Sequence, residues 1–306
     1  MSAVTASIAI RRAEPDDYEA VAAFTAQIWD DRGGDYLSRV YHDWLEDPDD
    51  DSKKTVLAEV DGEAAGIVQA VMLSADEAWF QGLRVNPDFR RRGVSLALNE
   101  ACFEWARERG ATVGRLMIFA WNRPALGAAR AGGFDPVTEF RFAHPTPDPD
   151  AEGPLPVIAD STPAWRYWTE SDARAHLSGL SLSTDESWAL QELCPDRLGA
   201  LAEDTAVFAV DGEDGITGMG YRNRTYEREG DDGVTVCAEY GVGAWENVDD
   251  AAALFAAIAR DAAECGADTT RVLIPETVET VSDAAYVGAD IADHPDFVLG
   301  ADLTGQ

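Results

Sequence analysis

Residues 90–95 read Arg90-Arg91-Arg92-Gly93-Val94-Ser95, three guanidinium groups beside a glycine. They stand in a chain with 24 Lys and Arg against 57 Asp and Glu, a formal net charge of -33. Such a cluster either holds something anionic or balances local acid. Guanidinium groups offer forked N–H donors that suit phosphate oxygens. Gly93 lets an anion approach the backbone with no Cβ in the way, and the Ser95 hydroxyl can cap a helix or bind a phosphate oxygen. A helix starting here adds unpaired N–H groups and the positive end of its dipole. No G-K-[ST] follows and G-x-G-x-x-G is absent, so the P-loop and the dinucleotide fingerprint are both excluded.

The elements that must position this loop are legible on either side. A strand over 77–86 ends at Asn86-Pro87, because proline has no N–H to give to the ladder. A helix over 93–109 follows, with Leu96, Cys102, Phe103 and Ala106 as its apolar stripe. Before them the pattern predicts a strand at 7–12, helices at 15–29 and 35–46, and a hairpin across 55–73. After them it predicts a strand at 114–120, a short helix at 123–131 and a strand at 136–143. The fold class is α+β, a mixed, mostly antiparallel sheet with flanking helices.

The segment "HPTPDPDAEGPLP" (144–156) has five prolines and three acids, which predicts an exposed, extended linker. The halves it separates resemble each other. Ala58-Glu59-Val60-Asp61-Gly62-Glu63 matches Phe208-Ala209-Val210-Asp211-Gly212-Glu213, a strand entering a D-G turn. "ERGATVGRLMI" (108–118) matches "ECGADTTRVLI" (264–274), in the same order. Two tandem copies follow: a domain at 1–145, a Pro/Asp linker at 146–157 and a second domain at 158–306. At the place of the arginine loop the second copy reads "ENVDDA" (246–251), acid that repels a phosphate.

Composition sets limits on partners and surroundings. Hydrophobic content of 46% is that of a globular protein, so the charge does not signal disorder. Lys occurs only at Lys53 and Lys54. An Asp-rich, Lys-poor, aromatic-containing chain resembles a halophilic cytoplasmic protein, because strong salt, with a Debye length of about 3 Å at 1 M, screens its self-repulsion. A partner of basic character is the alternative. Nucleic acid is disfavoured for want of a basic face, and no stretch approaches 18 apolar residues, so no membrane span is expected. Cys102, Cys194, Cys237 and Cys265 form no CxxC pair and read as small buried hydrophobes. The four histidines have no ligand spacing, so no metal is expected.

The strand-loop-helix resembles the signature of the GCN5-related N-acetyltransferases. It stands as Leu83-Arg84-Val85-Asn86-Pro87, then Arg90-Arg91-Arg92-Gly93-Val94-Ser95, with Ser95 where glycine or alanine is usual. A second family block follows as Asn122, Ala125, Gly133 and Phe134. The resemblance implies acetyl-CoA as co-substrate, with its pyrophosphate on the backbone of 90–95. Backbone groups of Leu83, Arg84 and Val85 would pair with the pantetheine arm, in a splayed gap beside strand 114–120, and Asn122 would lie beside the pantetheine or acyl group. It implies an acetyl-CoA-dependent N-acetyltransferase acting on a small-molecule or amino-acid amine by direct attack on the thioester. Protein N-terminal or lysine acetylation, and a non-catalytic acyl-CoA sensor, are the alternatives. The family's usual acid and base positions are filled here by Ala129, Trp79 and Met117. The weaker catalytic candidates are Glu77, Asp35 and Tyr36, the latter two in "WDDRGGDYL" with Asp30, Asp31, Gly33 and Gly34. A monomer or homodimer is expected.

Overall fold

The computed structural model describes residues 7–29, 34–45, 51–230 and 233–305. Asp30, Asp31 and Gly33 lie outside these. The chain divides into two compact units at places other than residue 145. The first holds the chain up to Met117, Arg123–Asp135 and the residues from Leu299 onward; the second holds Ile118–Asn122 and Pro136–Val298. The expected linker at 146–157 therefore lies inside the second unit. It is irregular and mostly exposed, but the Asp148 N–H donates to Ala259 O at 3.0 Å.

In the first unit the strands are β1 (Ile8–Arg12), β2 (Lys53–Val60), β3 (Glu63–Met72), β4 (Glu77–Val85) and β5 (Val113–Phe119). The pairs β1–β2, β2–β3 and β3–β4 are antiparallel, and β4–β5 is parallel. A parallel neighbour requires a crossover, and α3 (Val94–Glu108) supplies it. Gly66, which pairs with Val85 across β3–β4, faces α3: a Cβ there would meet Val94 and Leu98. The same face of β4 is filled by Phe80, Phe103 and Phe134, whose rings lie 5.2–6.0 Å apart. The other face carries α1 (Tyr18–Thr25) and α2 (Leu37–Val40), whose Val21, Phe24 and Leu37 pack on Leu57 and Ile67. The helix expected over 35–46 is only α2 and a 3-10 turn at Asp43–Leu45. The helix expected to reach 29 stops at Thr25, and Trp29 sits at φ +58°, outside any right-handed helix. A short helix α4 (Arg123–Ala131) closes the unit.

The second unit begins with β6 (Asp135–His144) and β7 (Val157–Ile158), then α5 (Ser161–Glu170), α6 (Asp172–His176), β8 (Leu180–Leu182), β9 (Leu190–Glu192) and α7 (Pro195–Asp204). It continues through β10 (Ala206–Gly212), β11 (Gly215–Gly230), β12 (Gly233–Trp245), α8 (Val248–Glu264), β13 (Thr269–Pro275), α9 (Val278–Tyr286) and β14 (Asp290–Ile291); the last strand, β15 (Asp296–Asp302), starts in this unit and from Leu299 onward counts with the first. Its sheet runs β7, β10, β11, β12, β13, β6. Here too the parallel pair, β12–β13, is bridged by a helix, α8. The D-G turn expected at Asp211-Gly212 falls two residues later, on Glu213 and Asp214, because a bulge at Val210/Asp211 lengthens β10. Cys194 is exposed at the start of α7, so it is not the buried hydrophobe expected, whereas Cys102 and Cys237 are buried. No helix among the described residues is long and apolar enough to cross a membrane.

Candidate active site

The strand-loop-helix of the first unit opens a gap. Parallel pairing between β4 and β5 holds for three residue pairs, Glu77↔Val113, Ala78↔Gly114 and Trp79↔Arg115. Beyond Trp79 the strand β4 continues to Val85, about 20 Å at the usual rise of a strand. Its other edge stays paired with β3 as far as Val85. The register against β3 slips at Gln81 to Arg84, a bulge that contains Gly82 at φ +63°. Glycine is required twice there, by its backbone conformation and because a Cβ would collide with the ring of Trp44. Gln81, Gly82, Leu83 and Val85 are half-buried, as are Leu116 and Met117 of β5. An unpaired strand edge with its amide groups free toward an open slot can accept an extended amide chain.

At the end of β4 the chain makes a 3-10 turn, Pro87–Phe89, capped by the Asn86 side chain accepting from the Asp88 N–H at 3.1 Å. The helix α3 then starts from Gly93 at φ +86°, and no side chain caps it. Its first N–H groups therefore lack a side-chain partner. Arg90, Arg91 and Arg92 are all exposed. None of the three forms an ion pair among the described residues; Arg92 lies 5.1 Å over the Phe89 ring. Val94 is buried and Ser95 half-buried. Uncapped N–H groups, the helix dipole and three unpaired guanidinium groups thus meet beside Gly93. General chemistry suits such an arrangement to a multiply charged anion.

The face of β4 away from α3 holds the catalytic candidates, and both carboxylates are engaged. Asp35 is buried and receives two bonds from the Arg84 guanidinium, 2.5 Å from Nε to Oδ2 and 3.3 Å from Nη2 to Oδ1. It also accepts from the Leu37 N–H at 2.9 Å. The Arg84 guanidinium stacks over Trp29 at 4.2 Å and lies 5.4 Å from the Tyr36 ring. Tyr36 is a poor base, since burial pushes its phenol above the ordinary value, against the opposing pull of Arg84. Glu77 is buried and ion-paired to Arg115. Each acid is thus already held by an arginine. Burial likewise pushes the Cys102 thiol up to about 12, which rules it out as a nucleophile. Arg84 can serve the slot only through its backbone, because its side chain turns to Asp35.

Among residues that sequence reasoning passed over, Thr55, Gln69 and Gln81 form a hydrogen-bonded row across β2, β3 and β4. Gln81 Nε2 donates to Gln69 Oε1 at 2.7 Å, and Gln69 Nε2 donates to Thr55 Oγ1 at 3.0 Å. The signal was present: Gln69 interrupts an otherwise apolar β3 and is 1% exposed. Asn122 stands just before α4 in the segment 118–122, which clusters with the second unit; its N–H donates to Phe119 O at 2.8 Å. Ala129, at the position of the family's acid, is buried in α4.

Comparison with known proteins agrees with this geometry. Residues 17–134 match the Acetyltransferase (GNAT) family. A histidine N-acetyltransferase of Xenopus tropicalis is 32% identical over 94 residues, 30% of this chain and 28% of that protein. An aminoglycoside N(6')-acetyltransferase type 1 of Klebsiella aerogenes is 34% identical over 88 residues, 26% of this chain and 58% of that protein. The chain thus spans less than two thirds of these relatives. The crystal structure of a GCN5-related N-acetyltransferase from Sphaerobacter thermophilus superposes with a TM-score of 0.59 at 16% identity, covering 97% of this chain and 96% of that one. At that identity the likeness is one of fold.

Proposed function

We propose, from the match of residues 17–134 to the Acetyltransferase (GNAT) family, that the chain transfers acetyl from acetyl-CoA to the amine of a small molecule. The observation that carries this is the arginine loop. In a chain of net charge -33, three exposed arginines with no carboxylate partner among the described residues stand at an uncapped helix start. Backbone N–H groups of 93–95 with Arg90, Arg91 and Arg92 hold the pyrophosphate. The free edge of β4 at Leu83 to Val85 pairs with the pantetheine amides, and a strand N–H in the slot stabilises the developing oxyanion. Acetyl-CoA supplies the activated acyl group. The amine nitrogen forms its bond to the acyl carbon as the C–S bond breaks, and the sulfur leaves as a thiolate of pKa about 8.5, tolerable without an acid. The amine proton passes to water, since Asp35 and Glu77 are both ion-paired.

The second unit reads as a degenerate copy of the same fold that binds no CoA. The named relatives act on histidine and on aminoglycosides, which supports a small-molecule acceptor over a protein one. The Asp-rich, Lys-poor composition suits a salt-rich cytoplasm. That both candidate bases are locked in ion pairs favours a second reading, an acyl-CoA sensor without turnover. Calorimetric titration with acetyl-CoA in strong salt, followed by a free-thiol assay across amines, decides. Binding with thiol release supports the transferase, binding without release under any amine supports the sensor, and no binding removes both.

A further inference from the structure

The second unit carries a cavity outside the machinery proposed for acetyl transfer. Helix α5 packs across β10 and β11. A cavity of about 400 Å³ is bounded by that helix, the β10–β11 turn and the approach to α8. Its polar wall is Arg166, Tyr167 and Glu170 of α5, Asp214 of the turn, and Glu246 just before α8. Glu246 begins the segment "ENVDDA", so the acid that repels a phosphate there faces a cavity here.

Two features separate this wall from ordinary acidic surface. The first is Tyr167, which is only 8% exposed and whose hydroxyl has no hydrogen-bond partner among the described residues. Burial first, then the charges of Glu246, Asp250 and Asp172, hold its phenol above the ordinary value, so it stays a neutral hydroxyl. Glu246 stands on the wall, which places that hydroxyl toward the cavity. A buried hydroxyl without a partner costs free energy, and an N–H donor in the cavity removes the cost. The second feature is the spacing of the acids. Glu170, Asp214, Glu246 and Arg166 are exposed and form no ion pair among the described residues. Three carboxylates against one guanidinium leave the wall negative. Yet no group of three His, Cys, Asp or Glu among the described residues gathers closely enough to hold a metal ion. A point cation cannot meet acids so placed, whereas a chain bearing ammonium groups at intervals can. The remaining polar groups are engaged. Ser171 Oγ donates to Trp168 O at 2.9 Å and accepts from the Arg174 N–H at 3.1 Å, and Asp250 accepts from Thr217 Oγ1 at 2.6 Å and from the Asn247 N–H.

We propose that this cavity binds an organic polycation, a flexible chain with two or three ammonium groups. The Tyr167 hydroxyl accepts from one ammonium, and Glu170, Asp214 and Glu246 face the others. Pro163 and Ile216 of the wall supply apolar contact for the methylenes between the charges. Such a site goes beyond the acetyl-transfer reading and does not depend on it.

The test is calorimetric titration of the full chain with spermidine in strong salt, without acetyl-CoA, and a competition with Mg²⁺ at equal concentration. Spermidine is expected to bind and Mg²⁺ to leave it in place. Tyr167→Phe is expected to raise the Kd about tenfold, the worth of one hydrogen bond to a charged group. The same variant is expected to keep or raise the urea midpoint, because the hydroxyl it removes has no partner to lose. Glu246→Gln is expected to raise the Kd about threefold. The control is Glu264→Gln, an exposed acid at the far end of α8, about 25 Å away at the helical rise. At that distance salt screens the charge, and the Kd is expected to change by under about twofold. A Kd unmoved by Tyr167→Phe and Glu246→Gln puts the amine elsewhere and overturns the proposal. An equal loss from Glu264→Gln overturns it in favour of a diffuse field, and displacement by Mg²⁺ in favour of a point-ion site. A lowered midpoint for Tyr167→Phe, or no binding at all, overturns it as well. None of these outcomes bears on acetyl transfer, which the free-thiol assay reads separately.

Discussion

The crossover helices α3 and α8 begin from opposite chemistry. The start of α3 is Gly93 in a left-handed conformation, uncapped, behind three arginines. The start of α8 is Asn247, whose side chain accepts from the N–H groups of Asp249 and Asp250, while the Asp250 side chain accepts from the Asn247 N–H at 3.2 Å. That reciprocal cap occupies the donors an anion would need, and the acids of the first turn neutralise the dipole. The gaps differ in the same sense. Past Trp79↔Arg115 the flanking residues of the first unit are mostly half-buried. Past Tyr240↔Val272 in the second, Gly241 to Ala244 and Leu273 to Pro275 are all buried. Even the ion pairs correspond. Arg115 pairs with Glu77, and Arg271 with Glu239, which stands opposite it in the register place that Trp79 occupies in the first unit. One arrangement of parallel strands and helix can thus be left open for a ligand or closed into core, and a few residues at the helix start and the gap make the difference.

The comparison can be broken most forcefully at its shared ion pair. Glu239 is fully buried and holds both Arg224 and Arg271. Burial alone would raise its carboxyl, but the two arginines more than offset this and hold it below the ordinary value. Glu239→Ala strands the buried Arg271 and the half-buried Arg224 and is expected to cost about 3 kcal/mol in urea unfolding. An unchanged midpoint would mean that the cluster is wetter than its burial implies.

The contrast between the helix starts is tested by Arg90→Glu with Gly93→Asp, which is expected to weaken acetyl-CoA binding about a hundredfold by calorimetry. Asn247→Ala, its counterpart in the second unit, is expected to leave that affinity unchanged. Equal losses in the two variants would erase the distinction.

A pH experiment isolates one group of the second unit. Burial pushes the Asp296 carboxyl up to about 7, with Arg271 and Arg141 opposing. The folded chain then holds a proton that an unfolded carboxyl, with a pKa of about 3.9, has released, so this group makes stability fall as pH rises from about 4 to about 7. Asp296→Asn is expected to remove that fall, seen as a wild-type minus variant difference in unfolding free energy that levels off above pH 7. A difference flat across the whole range would refute it. The smallest effect expected is the loss of the α8 cap itself: Asn247→Ala is worth about 1 kcal/mol of stability, read from the same urea curves.

Much of this was legible along the chain. The strand ending at Asn86-Pro87, the helix after Gly93 and the D-G turn at Asp61-Gly62 each rest on backbone chemistry within a few residues, and each stands where the pattern put it. The helix over 35–46 was misjudged because its apolar residues face a core that one turn and a 3-10 turn satisfy as well. Glu77 opens the central strand and Asp35 lies in the segment before α2, and nothing local marks either carboxylate as already paired.

The sequence by itself determined the helix start at Gly93 and the positive charge gathered before it. Capping, charge and glycine conformation act within a turn, so Arg90 to Ser95 declare themselves without neighbours from elsewhere. Only the tertiary structure decided which polar groups are free to act. Asp35 meets Arg84 across 49 residues, Glu77 meets Arg115 across 38, and Gln69 meets Gln81 across a strand pair. Those partnerships arise from strand register and burial, where a carboxylate denied water must find a counter-charge, and register is a property of the assembled sheet.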